Sequence, residues 1–363
     1  MMKARTLRVY IAKRYVLMVL GALAVCAALI FLVDMVEMLR RARSSKSVTT
    51  LDLSLFSFLR LHAFVEILLP FAALVGTMGA LVSLSRRSEL AVMRAGGMSV
   101  WQILRPLILV AFALGTFSVL IYNPFAAHSM SRAERLMAES FGGDDSVLLR
   151  GSDSWLRQDG ADGPSIMTAR AVSDRGLTLT TVTVVQYGSD DRFETQLRAQ
   201  RAFLKEGYWQ LENVIAQEVG REAQHHGTYL LATTLDKSRV LNALGSVHAV
   251  SVFELPELIE MAERSRLPAT RFTMQYESLK ARPALLIAMV LLAATVSLRP
   301  FRQGGIQTMV STGIVGGVGV FLLTEVSRQI GLAGVVPAAV AVWLPILITG
   351  CFATTILLVQ EDG

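Results

Sequence analysis

Long apolar runs with almost no charge are the feature of this sequence that most constrains its fold. The first run covers residues 15–33, and no charged residue lies between Arg14 and Asp34. About 20 apolar residues in succession are enough for a helix to cross a bilayer. Further runs of this kind lie at residues 61–85, 106–127, 283–298, 303–324 and 329–360. The sequence therefore predicts a membrane α-helical protein with six transmembrane helices, the last beginning near Val336.

Composition supports this interpretation and argues against several other classes of protein. Hydrophobic residues make up 53% of the chain and charged residues 18%, which is more apolar and less charged than a soluble domain. The net charge of +6 comes largely from basic residues beside the apolar runs, where they set membrane orientation. Neither a P-loop, nor a metal-ligand spacing of Cys and His, nor a nucleic-acid-binding motif is visible. We therefore expect no catalytic site, no metal site and no nucleic-acid partner.

The basic residues of the short loops predict the orientation of the chain. With the N terminus inside, segments 1–14, 86–105 and 299–302 are inner and carry eleven Lys and Arg residues, against six in the outer short segments. Because basic residues accumulate on the cytoplasmic side, we expect both termini to be cytoplasmic. A cluster on the outer side is the exception, and it contains Arg40, Arg41 and Arg43.

The apolar pattern is interrupted in the middle of the chain. Residues 177–185 are rich in β-branched side chains, and residues 209–215 alternate in part between apolar and polar. Short strands separated by turn clusters are typical of a sandwich, barrel or jelly roll. The sequence thus predicts three domains in order: transmembrane helices 1–3 in residues 1–127, an inserted all-β, jelly-roll-like domain with helical connections in residues 128–282, and transmembrane helices 4–6 in residues 283–363.

The inner loop between the second and third runs predicts a short amphipathic helix, at about residues 86–98. Ser85 or Ser88 can cap it, and Glu89 in its first turn suits the helix dipole. Leu90 and Met93, three residues apart, share a face, and the Gly96-Gly97 pair ends the helix. Two interpretations remain open from the residues alone: a loop anchored to anionic lipid, or a helix that docks on a cytoplasmic ATPase.

Two features inside the spans are further candidates. Glu66 lies in the second run, where an ionisable side chain indicates either a functional site or a wet interface. Gly313 and Gly317 in the fifth run form a G-x-x-x-G pattern that allows close helix approach. That approach is either within the subunit or toward a second permease.

The stretch LLPFAALVGTMGALVSLSRRSELAVMRAGGMSVWQILRP, together with the order of three helices, a large domain and three helices, closely resembles the LptF/LptG permeases of the lipopolysaccharide exporter. The resemblance spans the chain and is strongest over residues 60–106 and 276–302. Residues 31–39 resemble LptG more than LptF. LptF is therefore the alternative within the family. An FtsX- or MacB-like subunit has four helices with its large domain after the first, which this layout contradicts.

The resemblance implies a permease subunit of an ABC transporter in the Gram-negative inner membrane. Such a subunit pairs with an LptF-like second permease and sits on a dimer of the ATPase LptB. It binds no cofactor itself, because ATP and Mg²⁺ belong to LptB. The complex extracts lipopolysaccharide and passes it through periplasmic jelly rolls to LptC and LptA. We therefore expect the β domain to have open edges and a partly unfilled apolar interior, at residues such as Leu179 and Val184.

The resemblance also implies roles for particular residues. Glu89 and Arg94 match the family's ATPase-coupling residues, and Leu90, Met93 and Gly97 complete that candidate set. In this family, substrate phosphates lie near basic residues at the outer end of the first helix. The resemblance therefore implies that Arg40, Arg41 and Arg43 bind lipopolysaccharide. Contact with ordinary lipid headgroups is the alternative. Glu66 is added to the substrate-binding candidates.

Overall fold

The computed structural model describes residues 2–42, 49–141, 154–160, 163–173, 177–187, 193–218, 223–233, 247–264, 269–298 and 305–362. The chain forms two compact units. The membrane unit comprises Met1–Ile30, Phe64–Pro124 and Thr270–Gly363, and the β unit comprises Phe31–Ala63 and Phe125–Ala269.

Long helices account for most of the described chain. They are α1 (Met2–Ala42), α2 (Thr50–Arg86), α3 (Glu89–Ala95), α4 (Val100–Phe117), α5 (Asn123–Phe141), α6 (Leu255–Arg264), α7 (Thr270–Ser297), α8 (Gly305–Leu332) and α9 (Ala338–Asp362), with a π-helical turn at Ser118–Tyr122 between α4 and α5. Within the described residues, six helical segments are long and apolar enough to cross a membrane. The prediction of six spans is confirmed. The fourth span differs in one respect, because its helix begins at Thr270 and not near residue 283.

The membrane unit is held together by close approaches of helix backbones. A Cβ on Gly76 of α2 would lie 2.8 Å from the Cα of Val19 on α1. A Cβ on Gly115 of α4 would lie 2.6 Å from the Cα of Pro283 on α7. Because lipid tails are as apolar as the side chains, association in a membrane depends on such packing, and small residues permit it.

Within the described residues of the β unit, six strands form one antiparallel sheet, which confirms the inserted β domain. Its strands are β1 (Ser154–Gly160), β2 (Gly163–Ser173), β3 (Thr178–Tyr187), β4 (Phe193–Lys205), β5 (Tyr208–Glu218) and β6 (Gln224–Ala232). Each strand pairs with the next in sequence, so the order in the sheet is β1-β2-β3-β4-β5-β6. Strands β1 and β6 therefore lie at the two ends of this sheet.

The buried face of β3 changes at Thr181. Val182 and Val184 are buried after this residue, whereas Leu179 and Thr180 are both buried before it. A strict alternation would bury only odd or only even positions. Thr181 has φ 51°, a conformation that β-branched residues rarely adopt, and this residue shifts the inward-facing positions by one.

The same change occurs in β5 at Asn213. Trp209 and Leu211 are buried before it, and Val214 is buried after it, while Ile215 is exposed. Asn213 also has φ 51°. Pairing with β4 continues on both sides, since Glu212 and Val214 keep their partners. This shift explains why residues 209–215 alternate only in part in the sequence.

A buried polar network joins strands that are distant in the sheet. Gln158 on β1 accepts hydrogen bonds from Trp209 Nε1 on β5 (3.1 Å) and from Thr233 Oγ1 after β6 (2.6 Å). Its Nε2 donates to Ser165 Oγ at 3.1 Å. Because β1 pairs with β2 alone among the described strands, the sheet must fold over itself to bring β1 to β5.

The apolar interior of this sheet is packed in the part that the structure describes. Leu179 is 1% exposed and Val184 is 0% exposed, within one cluster with Trp209 and Leu211. The expectation of a partly unfilled interior is therefore wrong for the described strands. The physical reason is the fold-over, which places apolar faces of the same sheet against each other.

We expect Gln158→Ala to destabilise the β unit by about 1–3 kcal/mol, because Trp209 Nε1 and the Thr233 hydroxyl would lose their buried acceptor. Denaturant unfolding followed by tryptophan fluorescence measures this change. Gln217→Ala on the exposed side of β5 is the matched control, with an effect within about 0.5 kcal/mol. Equal stability of the two variants would contradict the role assigned to Gln158.

Candidate functional site

The short helix α3 confirms the helix predicted between the second and third spans. Ser88 precedes it with φ 59°, and its side chain makes no capping hydrogen bond. The expected cap from Ser88 is therefore wrong. At the other end, Gly97 has φ 80° and its N–H donates to the Arg94 carbonyl at 3.0 Å. A left-handed residue at this position favours glycine, which explains the abrupt end of the helix.

The two faces of α3 have different surroundings. Leu90 and Met93 are each 8% exposed and belong to the core cluster of the membrane unit. They pack α3 against the membrane unit, and their assignment to the ATPase-coupling set stays a prediction. The outward face carries Val92, which is 70% exposed, and the exposed Arg94.

Glu89 begins α3 and is engaged by α1. Its Oε1 accepts a hydrogen bond from the Tyr10 hydroxyl at 3.2 Å, and its Oε2 lies 3.5 Å from Arg14 Nη1. Glu89 was predicted as a site residue, but its partners Tyr10 and Arg14 were not. The sequence signal that could have indicated them is the group of basic residues just before the first apolar run.

Glu66 lies in a buried polar network of the membrane unit. It accepts hydrogen bonds from Asn123 Nδ2 at 2.9 Å and from the Arg282 guanidinium, which also lies 3.3 Å from Ser118 Oγ. The side chains of Arg282 and Glu66 are 12% and 9% exposed. Burial of a charge requires a partner of opposite charge, so this geometry supports a structural ion pair joining α2, the π-helical turn and α7.

Glu66 was predicted to bind substrate, but its carboxylate already has partners in this chain. In this structure its carboxylate is occupied by groups of the same chain. Arg282 is not among the residues predicted from the sequence, although an acidic residue in a span demands a counter-charge and Arg282 directly precedes the fourth apolar run.

The candidate substrate cluster is only partly described. Arg40 is exposed and pairs with Glu37 at 2.7 Å, one helical turn away. Arg41 belongs to α1 but its side chain lies outside the described set, and Arg43 lies outside the described residues. A buried ion pair that sequence analysis missed lies in the same unit, between Arg60 Nη1 and Asp34 Oδ1 at 2.9 Å.

Gly313 and Gly317 of α8 face α2 of the same chain. A Cβ on Gly313 would overlap the Met78 side chain, and one on Gly317 would lie 3.1 Å from Leu74 Cδ1. The G-x-x-x-G pattern therefore packs helices within the subunit. Val315 and Leu322, elsewhere on α8, are exposed.

Comparison with known proteins supplies the family context for these elements. The sequence matches the family described as "Lipopolysaccharide export system permease LptF/LptG" over residues 9–359. The lipopolysaccharide export system permease protein LptG of Escherichia coli K12 is 23% identical over 342 residues, which cover 93% of each chain. LptG of Haemophilus influenzae Rd is 24% identical over 354 residues, covering 94% of this chain and 95% of that protein.

We expect Glu66→Leu to lower stability by about 3–5 kcal/mol, because Arg282 would remain buried without its partner. The double variant Glu66→Leu/Arg282→Leu should recover most of the loss, because two apolar side chains leave no buried charge without a partner. Thermal unfolding in detergent micelles measures both. As a control, Glu325→Leu breaks the exposed pair with Arg328 and should cost about 1 kcal/mol or less. A double variant no more stable than Glu66→Leu would contradict a paired role.

Proposed function

Because the chain belongs to the LptF/LptG family of lipopolysaccharide export system permeases, we propose that it is an LptG-type permease subunit that works with a separate ATPase. The observation that carries this proposal is the match over residues 9–359, which covers both units and the short helix α3. The curated relatives described above are LptG proteins, which favours LptG over LptF.

The proposed docking surface for the ATPase is the outward face of α3. Val92 and Arg94 are exposed there, and the buried Leu90 and Met93 fix the helix on the membrane unit. An apolar side chain beside a guanidinium suits a pocket with an acidic rim. In this proposal the ATPase is an LptB dimer that binds ATP and Mg²⁺, and this chain binds neither.

The proposed substrate is lipopolysaccharide, which enters from the membrane and leaves through the β unit. Arg40 is exposed at the outer end of α1, and guanidinium groups bind phosphates through two parallel hydrogen bonds. Arg41 and Arg43 belong to the same proposed site. Because the interior around Leu179 and Val184 is packed, acyl chains require this sheet to open before lipid passes on to LptC and LptA.

The membrane unit also leaves apolar surface for lipid or a second permease. Val25 on α1 and Val315 on α8 are exposed, which is ordinary for spans that face lipid. We propose that an LptF-like subunit covers part of this surface. Both subunits would lie in the Gram-negative inner membrane.

We expect reporter fusions to place both termini in the cytoplasm and the β unit in the periplasm, because the proposed inner segments carry the excess of basic residues. Alkaline phosphatase fused after residue 151 should be active, and the same enzyme fused at the C terminus should be inactive. An inactive fusion after residue 151 would contradict the predicted orientation.

We expect the tagged chain to co-purify with an ATPase and a second permease from membranes. Arg94→Glu should lower ATPase recovery at least tenfold, because a carboxylate would replace the exposed guanidinium at the proposed interface. Gln102→Glu, which adds the same charge at an exposed position in the first turn of α4, serves as the control and should keep full recovery. Unchanged recovery with Arg94→Glu would exclude this face as the docking surface.

A further inference from the structure

A polar cluster joins the inner end of α1 to α3, and we name it the clasp: Tyr10, Arg14, Ser83 and Glu89. The Tyr10 hydroxyl donates to Glu89 and accepts from Arg14 Nη1 at 2.6 Å. Arg14 Nη1 also lies 3.5 Å from Glu89 Oε2, and its Nη2 donates to the Ser83 carbonyl at 3.5 Å. Both carboxylate oxygens of Glu89 are thus engaged by α1.

The clasp is only partly shielded from solvent, since Tyr10 is 41% exposed. The side chain of Arg14 is 13% exposed and that of Glu89 is 31% exposed, and the neighbouring Tyr15 is fully buried. Charge-assisted hydrogen bonds are stronger and more directional than neutral ones, and partial burial strengthens them further. The clasp can therefore fix a geometry as well as add attraction.

Helix α3 needs such a fixed geometry. With seven residues it is too short to be stable by itself. Leu90 and Met93 attach it through apolar packing, which is non-directional. The bonds from Tyr10 and Arg14 to Glu89 are directional, so they add a specific attachment of the N-terminal end of α3 to α1.

Helix α1 is well placed to receive a displacement of α3. Its inner half presents Ile11, Tyr15 and Val19 to the core of the membrane unit, and Val19 meets Gly76 of α2 at close range. Little of its most apolar stretch is buried by this chain. A force applied to α3 through the clasp would therefore act first on the inner half of α1, whose other end is anchored separately by the ion pair between Asp34 and Arg60.

We propose that Tyr10 and Arg14 are positioning residues that lock α3 to α1, so that movement of the docked ATPase passes through Glu89 into α1. This proposal rests on the proposed function and adds the route of coupling. The clasp leaves the Glu89 side chain 31% exposed, so the same carboxylate can face the ATPase while it is bonded to α1.

A charge exchange in the full exporter complex, reconstituted in lipid vesicles, tests the proposal. Arg14→Glu and Glu89→Arg should each lower lipopolysaccharide released per ATP hydrolysed by about tenfold. The double variant Arg14→Glu/Glu89→Arg should return to within about threefold of wild type, because the opposite charges are restored in exchanged positions. Tyr10→Phe, which removes only the hydroxyl, should lower the ratio two- to fivefold.

The exposed pair Glu325 and Arg328 on α8 provides the matched control. Its exchange variant Glu325→Arg/Arg328→Glu carries the same pair of changes away from α3 and should keep the wild-type ratio. A clasp exchange that is no better than its single variants overturns the proposal, as does wild-type coupling in Arg14→Glu. Loss of ATPase recovery in a single variant supports positioning if the exchange restores it, and contradicts positioning if it does not.

A cross-linking experiment separates this inference from the proposed function. After Cys26 and Cys351 are replaced by Ala, the variant Tyr10→Cys/Glu89→Cys should react with a short bifunctional thiol reagent in membranes. Efficient linking supports the clasp even if no ATPase co-purifies with wild type, a result that would reject only the proposed function. Absence of linking overturns the clasp whatever the exporter does.

Discussion

The structure depends on the absence of water from the bilayer core, where every buried polar group must find its partner within the protein. Helices satisfy their own backbone, so the chain crosses the membrane in long uninterrupted segments such as α2. A buried carboxylate such as that of Glu66 needs hydrogen-bond donors, and Arg282 and Asn123 of other helices supply them. Apolar packing then brings helices close wherever a glycine such as Gly76 or Gly115 removes the obstruction.

Directional polar contacts specify geometry that apolar packing leaves free. In the membrane unit, Arg14 and Tyr10 connect α1 to α3 through Glu89. In the β unit, Gln158 joins the first strand to Trp209 on the fifth. Each contact connects segments that are far apart in sequence, and each involves a buried or half-buried group whose loss of partner is costly.

The division of α3 into two faces connects this architecture to coupling. Its inner face belongs to the core of the membrane unit through Leu90 and Met93, and its outer face exposes Val92. Matching residues by family resemblance assigned both faces to one coupling set, because resemblance does not distinguish a residue that touches a partner from one that supports it. Burial makes that distinction: it keeps the exposed Arg94 in the proposed contact and adds Val92.

The sequence by itself determined the six spans, the inserted β domain and the end of α3 at Gly96-Gly97, because apolar length, β-branched content and glycine conformation are local properties. Only the tertiary structure decided the partner of Glu66, since Arg282 is separated from it by 216 residues. It also decided the shift of the buried face at Thr181 and Asn213, because the regular alternation of strand side chains does not predict such a shift. The packed interior of the sheet was also decided only by the tertiary structure. The sheet folds over through contacts between the first and fifth strands, and the pattern within a single strand does not determine such contacts.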